Sequence, residues 1–114
     1  MVKYRPDIDS VFSAVADPTR RHILERLRTG EHAISDLAEP FDMTLPAVSK
    51  HIHVLERAGL VAIRRSGRIR LCSLRTDGLR AAQAWITRFR EFWLAELSQV
   101  ERYLRADERD PKEV

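Results

Sequence analysis

From Leu79 to Leu104 apolar residues return every three or four positions: Leu79, Ala82, Ile86, Phe89, Trp93, Leu97, Val100 and Leu104, with Trp85, Phe92 and Tyr103 widening the stripe. That period is helical. A helix running from Thr76 or Asp77 to about Ala106 would be about 45 Å long at ~1.5 Å per residue. The face it presents exceeds what the rest of a 114-residue chain can cover. The helix is therefore expected to pack on its own domain along one edge and on a twin along another. Leu79, Ala82, Ile86, Phe89, Trp93, Leu97 and Val100 are the expected dimer contacts. Residues 107–114 read as a polar tail and residues 1–7 as a flexible N-terminus, leaving one domain over residues 8–106.

With 44% hydrophobic residues that domain has enough apolar material for a small core. The formal charge is only +3, but its distribution is uneven. No acidic residue lies between Glu56 and Asp77, where Arg57, Arg64, Arg65, Arg68, Arg70 and Arg75 are concentrated. Such a cluster suits a polyanion, because guanidinium groups release counterions from a phosphate backbone. The single Cys72 excludes an internal disulfide and a cysteine-rich zinc cluster within one chain. No run approaches the ~18 apolar residues of a membrane span, and MVKYRPDIDSVF lacks the apolar centre of a signal peptide. A reducing cytoplasmic location is the expectation.

Ahead of the arginines, local signals divide the chain into short helices. Asp7 or Asp9 can cap a first helix carrying Ile8, Val11, Phe12 and Val15. Asp17-Pro18 begins a second, with Ile23, Leu24 and Leu27 inward and Arg20, Arg21, Arg26 and Arg28 left for solvent or phosphate; Gly30 ends it, and His32 reads as a surface loop residue. A two-turn segment from Ala33 to Glu39 offers Ile34, Leu37 and Ala38 to the core, and Pro40 stops it. After Phe41, Asp42 and Met43 comes TLPAVSKHIHVLERAGLV, capped by Thr44, with Pro46 in its first turn and Gly59 at its end. Leu45, Val48, Ile52 and Leu55 form its buried stripe, while Pro46, Ser49, Lys50, His53 and Arg57 occupy other faces. Two helices joined by a tight turn, the second with a small polar outer face, form a helix-turn-helix.

After Gly59 the period changes to 2 through LVAIRRSGRIRLCSL, which predicts a hairpin turning at Ser66-Gly67. Arg65 would then face Arg68, Ile63 face Arg70, and Cys72 lie opposite Val61, with Arg64 and Ile69 on the other face. Opposed arginines are unfavourable unless an anion lies between them, so the hairpin reads as a wing that meets phosphates or a minor groove. The fold class is mainly α with a small β-hairpin: a winged helix-turn-helix with a long C-terminal dimerisation helix.

In this order ADPTRRHILERL (Ala16 to Leu27), PAVSKHIHVLERAGLV (Pro46 to Val61), the arginine-tipped wing and the terminal helix resemble the ArsR/SmtB family of winged helix-turn-helix transcriptional repressors. The resemblance covers roughly Ile8 to Leu104 and implies a homodimer on double-stranded DNA at a near-palindromic operator, released by an inducer. It places base reading on Pro46, Ala47, Ser49 and Lys50, with His53 one turn on, beside the cap Thr44 and the wing residues Arg65, Arg68 and Arg70. Ser49 and Lys50 can hydrogen-bond bases or phosphates, whereas Pro46 can offer only apolar contact, as to a thymine methyl. The resemblance also marks departures. The short helix carries ISDLAE where metal sensors have a cysteine pair, and the terminal helix has no histidine, so neither usual metal site is expected. His51 and His53, two apart on a helix, diverge by roughly 200° and cannot share an ion. Cys72 has no redox partner within the chain and reads as a packed apolar residue. No cofactor is implied.

Two other classes compete. A protein-interaction module would dock a partner through the aromatic terminal helix and leave Trp85, Phe92 and Trp93 exposed. An enzyme is disfavoured, because Ser49, His53 and Asp36 come without a glycine-rich nucleophile turn or an oxyanion-hole loop.

Overall fold

Residues 7–108 are described by the structure, a computed structural model. The elements in chain order are α1 (Ile8–Val15), α2 (Pro18–Leu27), β1 (His32–Ala33), α3 (Ile34–Ala38), α4 (Leu45–Arg57), β2 (Val61–Ser66), β3 (Ile69–Leu74) and α5 (Asp77–Glu108). Helix starts follow the local chemistry. Asp7 accepts from the Ser10 N–H, Asp17 from the Arg20 N–H, and Thr44 Oγ1 from the Ala47 N–H, each satisfying a donor that the helix leaves free. Ala33 starts α3 with no side-chain cap, as the sequence suggests. Residues 1–6 of the expected flexible N-terminus and 109–114 of the expected polar tail lie outside the described residues. Asp107 and Glu108, assigned to that tail, belong to α5.

The chain divides into two units, Met1–Gln83 and Ala84–Val114. In the first, Val11 and Ala14 of α1, Ile23 and Leu27 of α2, Ile34 and Leu37 of α3, and Val48, Ile52 and Leu55 of α4 close a core with Leu60, Val61 and Cys72. Ala82, one of the expected dimer contacts, joins this core at 8% exposure. The second unit is the remainder of α5. Along it Trp85 and Phe89 lie 4.8 Å apart, and Phe89 and Trp93 5.8 Å, between ring centroids. Ile86, Phe92, Leu97, Val100 and Leu104 are exposed beside them.

Three sequence expectations need correction here. The hairpin is part of a three-stranded antiparallel sheet of order β1-β3-β2, in which His32 pairs with Cys72 and Ala33 with Leu71. His32 is thus a strand residue; a two-residue strand is too short to show a period of 2. The hairpin turns at Gly67-Arg68, one residue later than expected, with Gly67 at φ 64°. A turn with glycine first needs only one positive φ, whereas placing Ser66 first would force one on serine. Pairing accordingly shifts by two: Arg65 faces Arg70, Ile63 faces Cys72, Val61 faces Leu74 and Arg64 faces Leu71. The faces survive because the shift is even. Third, Leu45 is 44% exposed, although its period places it with buried Val48, Ile52 and Leu55. At the first position of α4 it lies past the end of the core and borders wing residues Arg68, Ile69 and Arg70.

Candidate nucleic-acid interface

The candidate interface centres on α4. Its buried stripe fixes the helix to the core and leaves Pro46, Lys50 and His53 exposed and Ala47 and Ser49 half-buried. Thr44, also exposed, keeps its hydroxyl proton available while its oxygen accepts from Ala47. The wing reaches the helix through Arg70, whose Nη1 donates to Ser49 Oγ at 3.5 Å. Leu45, Pro46, Ser49, Lys50, His53 and Arg70 line one cleft of about 320 Å³. The structure therefore gathers helix and wing residues that stand 21 positions apart in sequence. His53 is less free than expected, since its Nδ1 lies 3.4 Å from Glu56 Oε1 on the same helix.

The arginine-rich segment separates into two classes. Arg64 makes a two-pronged contact with Glu31, at 2.8 Å from Nε and 2.7 Å from Nη2, and Arg75 pairs with Asp77. The Arg64 hydrogen bonds hold the Glu31 carboxyl below its ordinary pKa and raise that of Arg64. Among the described residues, Lys50, Arg57, Arg65 and Arg68 have no hydrogen bond or ion pair from their side chains. Arg65 and Arg70 stand directly opposite on the wing, an arrangement that an intervening phosphate relieves. The side chains of this segment and of α4 left to meet an anion thus include Lys50 and Arg57 on the helix and Arg65 and Arg68 on the wing, with Arg70 held by the Ser49 hydroxyl.

Sequence reasoning missed what holds α4 at its angle. Arg20, expected to face solvent or phosphate, donates from Nε to the Ala14 carbonyl at 2.7 Å and from Nη2 to the Ser13 carbonyl at 3.2 Å. Its Nη1 lies 3.1 Å from His51 Nδ1. One guanidinium thereby closes the end of α1 and ties it to α4. Asp17 completes the cluster, its Oδ2 3.9 Å from His51 Nδ1. The Arg20 backbone N–H is the main cause of the lowered Asp17 pKa, ahead of the Arg20 and His51 charges, with burial opposing. Arg21 and Arg26 are likewise spent on the carbonyls of Val15 and Asp36, and Arg28 pairs with Glu25. Nothing in a local window announces these partners.

The helix-turn-helix domain family matches residues 15–64. The transcriptional repressor SdpR of Bacillus subtilis is 35% identical over 82 residues, which cover 72% of this chain and 91% of that repressor. A crystal structure of an ArsR family transcriptional regulator aligns with TM-score 0.70 at 44% identity, covering 75% of this chain and 93% of the other. The chain belongs to the ArsR family. As an ArsR-family member it is a DNA-binding transcriptional regulator and not an enzyme. A homodimeric winged helix-turn-helix DNA-binding domain from Mycobacterium bovis, a possible ArsR-family regulator, aligns with TM-score 0.57 at 28% identity, covering 84% of this chain and 81% of that one. In this ArsR-family chain no helix among the described residues is long and apolar enough to cross a membrane. Among the same residues, no group of three or more histidine, cysteine, aspartate and glutamate side chains is placed to hold a metal ion. Burial, the principal cause, pushes the Cys72 thiol up to about 12, so it is a packed thiol and not a ready thiolate.

Proposed function

We propose that this ArsR-family regulator is a cytoplasmic homodimeric repressor that places two copies of α4 in successive major grooves of a near-palindromic operator. The observation that carries the reading is the cleft between helix and wing that Lys50 and Arg70 line with no carboxylate, with Arg68 in the adjoining cleft and Arg65 opposite Arg70 on the wing. Pro46, Ala47, Ser49 and Lys50 meet base edges or the adjoining backbone, Thr44 and His53 flank them, and the wing arginines hold phosphates. Dimerisation is supported by the exposed stripe Leu79, Ile86, Phe89, Trp93, Leu97 and Val100, which a lone chain leaves in water. A two-fold dimer sets the recognition helices about 34 Å apart, one turn of DNA. The repressor SdpR supports the direction of regulation. An inducer then acts by favouring a dimer geometry that does not fit this spacing.

The test is a salt titration of binding to DNA fragments selected by the purified protein. In a two-fold dimer Lys50→Ala and Arg68→Ala each remove two phosphate contacts, one per protomer, so the slope of log K against log salt falls by about 1.8 in each. Melting temperatures stay near the parent's because both side chains are exposed. Unchanged slopes in both variants would remove the helix and wing from the interface. Sedimentation tests the pairing: a monomer at micromolar concentration favours instead a helix that docks an unrelated partner.

A further inference from the structure

We infer that Leu45, together with Pro46, seats the 5-methyl group of a thymine in the operator, so that part of the sequence readout is an apolar contact at the start of α4. The inference rests on the proposed placement of α4 in the major groove and extends it to a residue whose helical period assigns it to the core.

Leu45 is 44% exposed at the first position of α4, while its stripe-mates Val48, Ile52 and Leu55 are fully buried. It lines two adjoining clefts. The first, of about 320 Å³, continues over Pro46, Ser49, Lys50, His53 and Arg70. The second, of about 210 Å³, runs over Ile34, Ser35, Arg68, Ile69 and Arg70. Both combine an apolar surface with cationic side chains, and no carboxylate lines either. This combination selects the occupant. A purely apolar partner segment would desolvate Arg68, Arg70 and Lys50 without a counter-charge. Duplex DNA supplies phosphates for the cations, and the thymine methyl is the one apolar group that its base edges present in the major groove.

The neighbouring side chains sharpen the assignment. Neither Leu45 nor Pro46 has a polar side-chain atom, and proline also lacks an N–H, so these two positions can discriminate between bases only by apolar contact. Ser49 Oγ, which lines the first cleft, accepts from Arg70 Nη1 at 3.5 Å. The start of the recognition helix is thus better suited to detect a methyl group than a hydrogen-bonding edge.

The experiment begins by selecting duplexes from a random library with the full-length protein. Each thymine of the enriched site is then replaced singly by deoxyuridine, which removes the methyl and nothing else. One position per half-site is expected to lose about four-fold in affinity, the worth of one buried methyl-sized group. Leu45→Ala binds the thymine duplex more weakly and no longer separates thymine from deoxyuridine at that position. Lys50→Ala weakens both duplexes and keeps the four-fold ratio. Indifference to deoxyuridine at every position, or full discrimination retained by Leu45→Ala, overturns the methyl seat while leaving α4 in the groove. Failure to enrich any sequence overturns the seat and the operator reading together.

Discussion

Replacing Gly78 by alanine sets a local preference against a tertiary contact, and the two have opposite signs. Gly78 is the second residue of α5, where alanine is favoured over glycine by up to ~1 kcal/mol because glycine loses more backbone freedom. In the fold, however, a Cβ at this position would lie 2.4 Å from the Ala58 carbonyl oxygen, 3.1 Å from Leu60 Cδ2 and 3.2 Å from the Gly59 carbonyl carbon. The nearest atom belongs to the backbone, so no rotamer change relieves the clash. Ala58 and Leu60 are themselves buried, at 1% and 0% exposure, so the strand start cannot retreat without disturbing the core. Moving α5 outward also stretches the hydrogen bond from the Gly78 N–H to the Gly59 carbonyl, now 2.9 Å. Overpacking of this kind costs ~1–3 kcal/mol, and a weakened buried hydrogen bond adds ~1 kcal/mol. After the helix preference is subtracted, Gly78→Ala is expected to destabilise by about 1–3 kcal/mol, lowering Tm by roughly 5–15 °C. Thermal and urea unfolding followed by circular dichroism, at one fixed protein concentration because the proposed dimer links stability to concentration, measure this directly. A variant as stable as the parent, or more so, would refute the close approach of α5 to the α4–β2 connection.

The caps, the thiol and the wing ion pair each give a further expectation. Asp17 has a native pKa below its ordinary 3.8, so its stabilisation is complete above that value and disappears as pH falls through the lower native one. Asp17→Asn keeps a capping oxygen but not the charge; the difference in urea midpoint between parent and variant should shrink below about pH 4, and a gap constant down to pH 2.5 contradicts the charge contribution. Cys72, with its thiol pushed up to about 12, should react with a disulfide reagent at pH 8 only at the rate of protein opening, so fast labelling of the native protein counts against its burial. Glu31→Gln frees Arg64 from its carboxylate partner, and the salt dependence of DNA binding by the dimer should steepen by about 1.8 if the released guanidinium of each protomer takes a phosphate. An unchanged slope would place Arg64 out of reach of DNA.

Much of the structure around the candidate interface is legible in the sequence because its signals are local. Thr44, Pro46 and Gly59 bound α4, and Asp17-Pro18 starts α2, through capping and backbone rules that act within one helical turn. The spacing of Val48, Ile52 and Leu55 found the buried face, and by exclusion the outer one. Clustered arginines marked the wing, but could not show which were free: Arg64 finds Glu31 at a separation of 33 residues, and Arg20 finds His51 at 31.

The sequence by itself determined where α2 and α4 begin, which residue types reach the outer face of α4, and that α5 carries more apolar surface than one small domain can bury. These follow from hydrogen-bonding and periodicity over a few consecutive residues. Tertiary structure decided the rest: the register that sets Arg65 against Arg70, the third strand at His32–Ala33, the loss of Leu45 from the core and its place beside the wing, and the close approach that leaves no room for a Cβ at Gly78. Each depends on how close two distant segments approach, a distance set by the whole packed core and carried by no single stretch of chain.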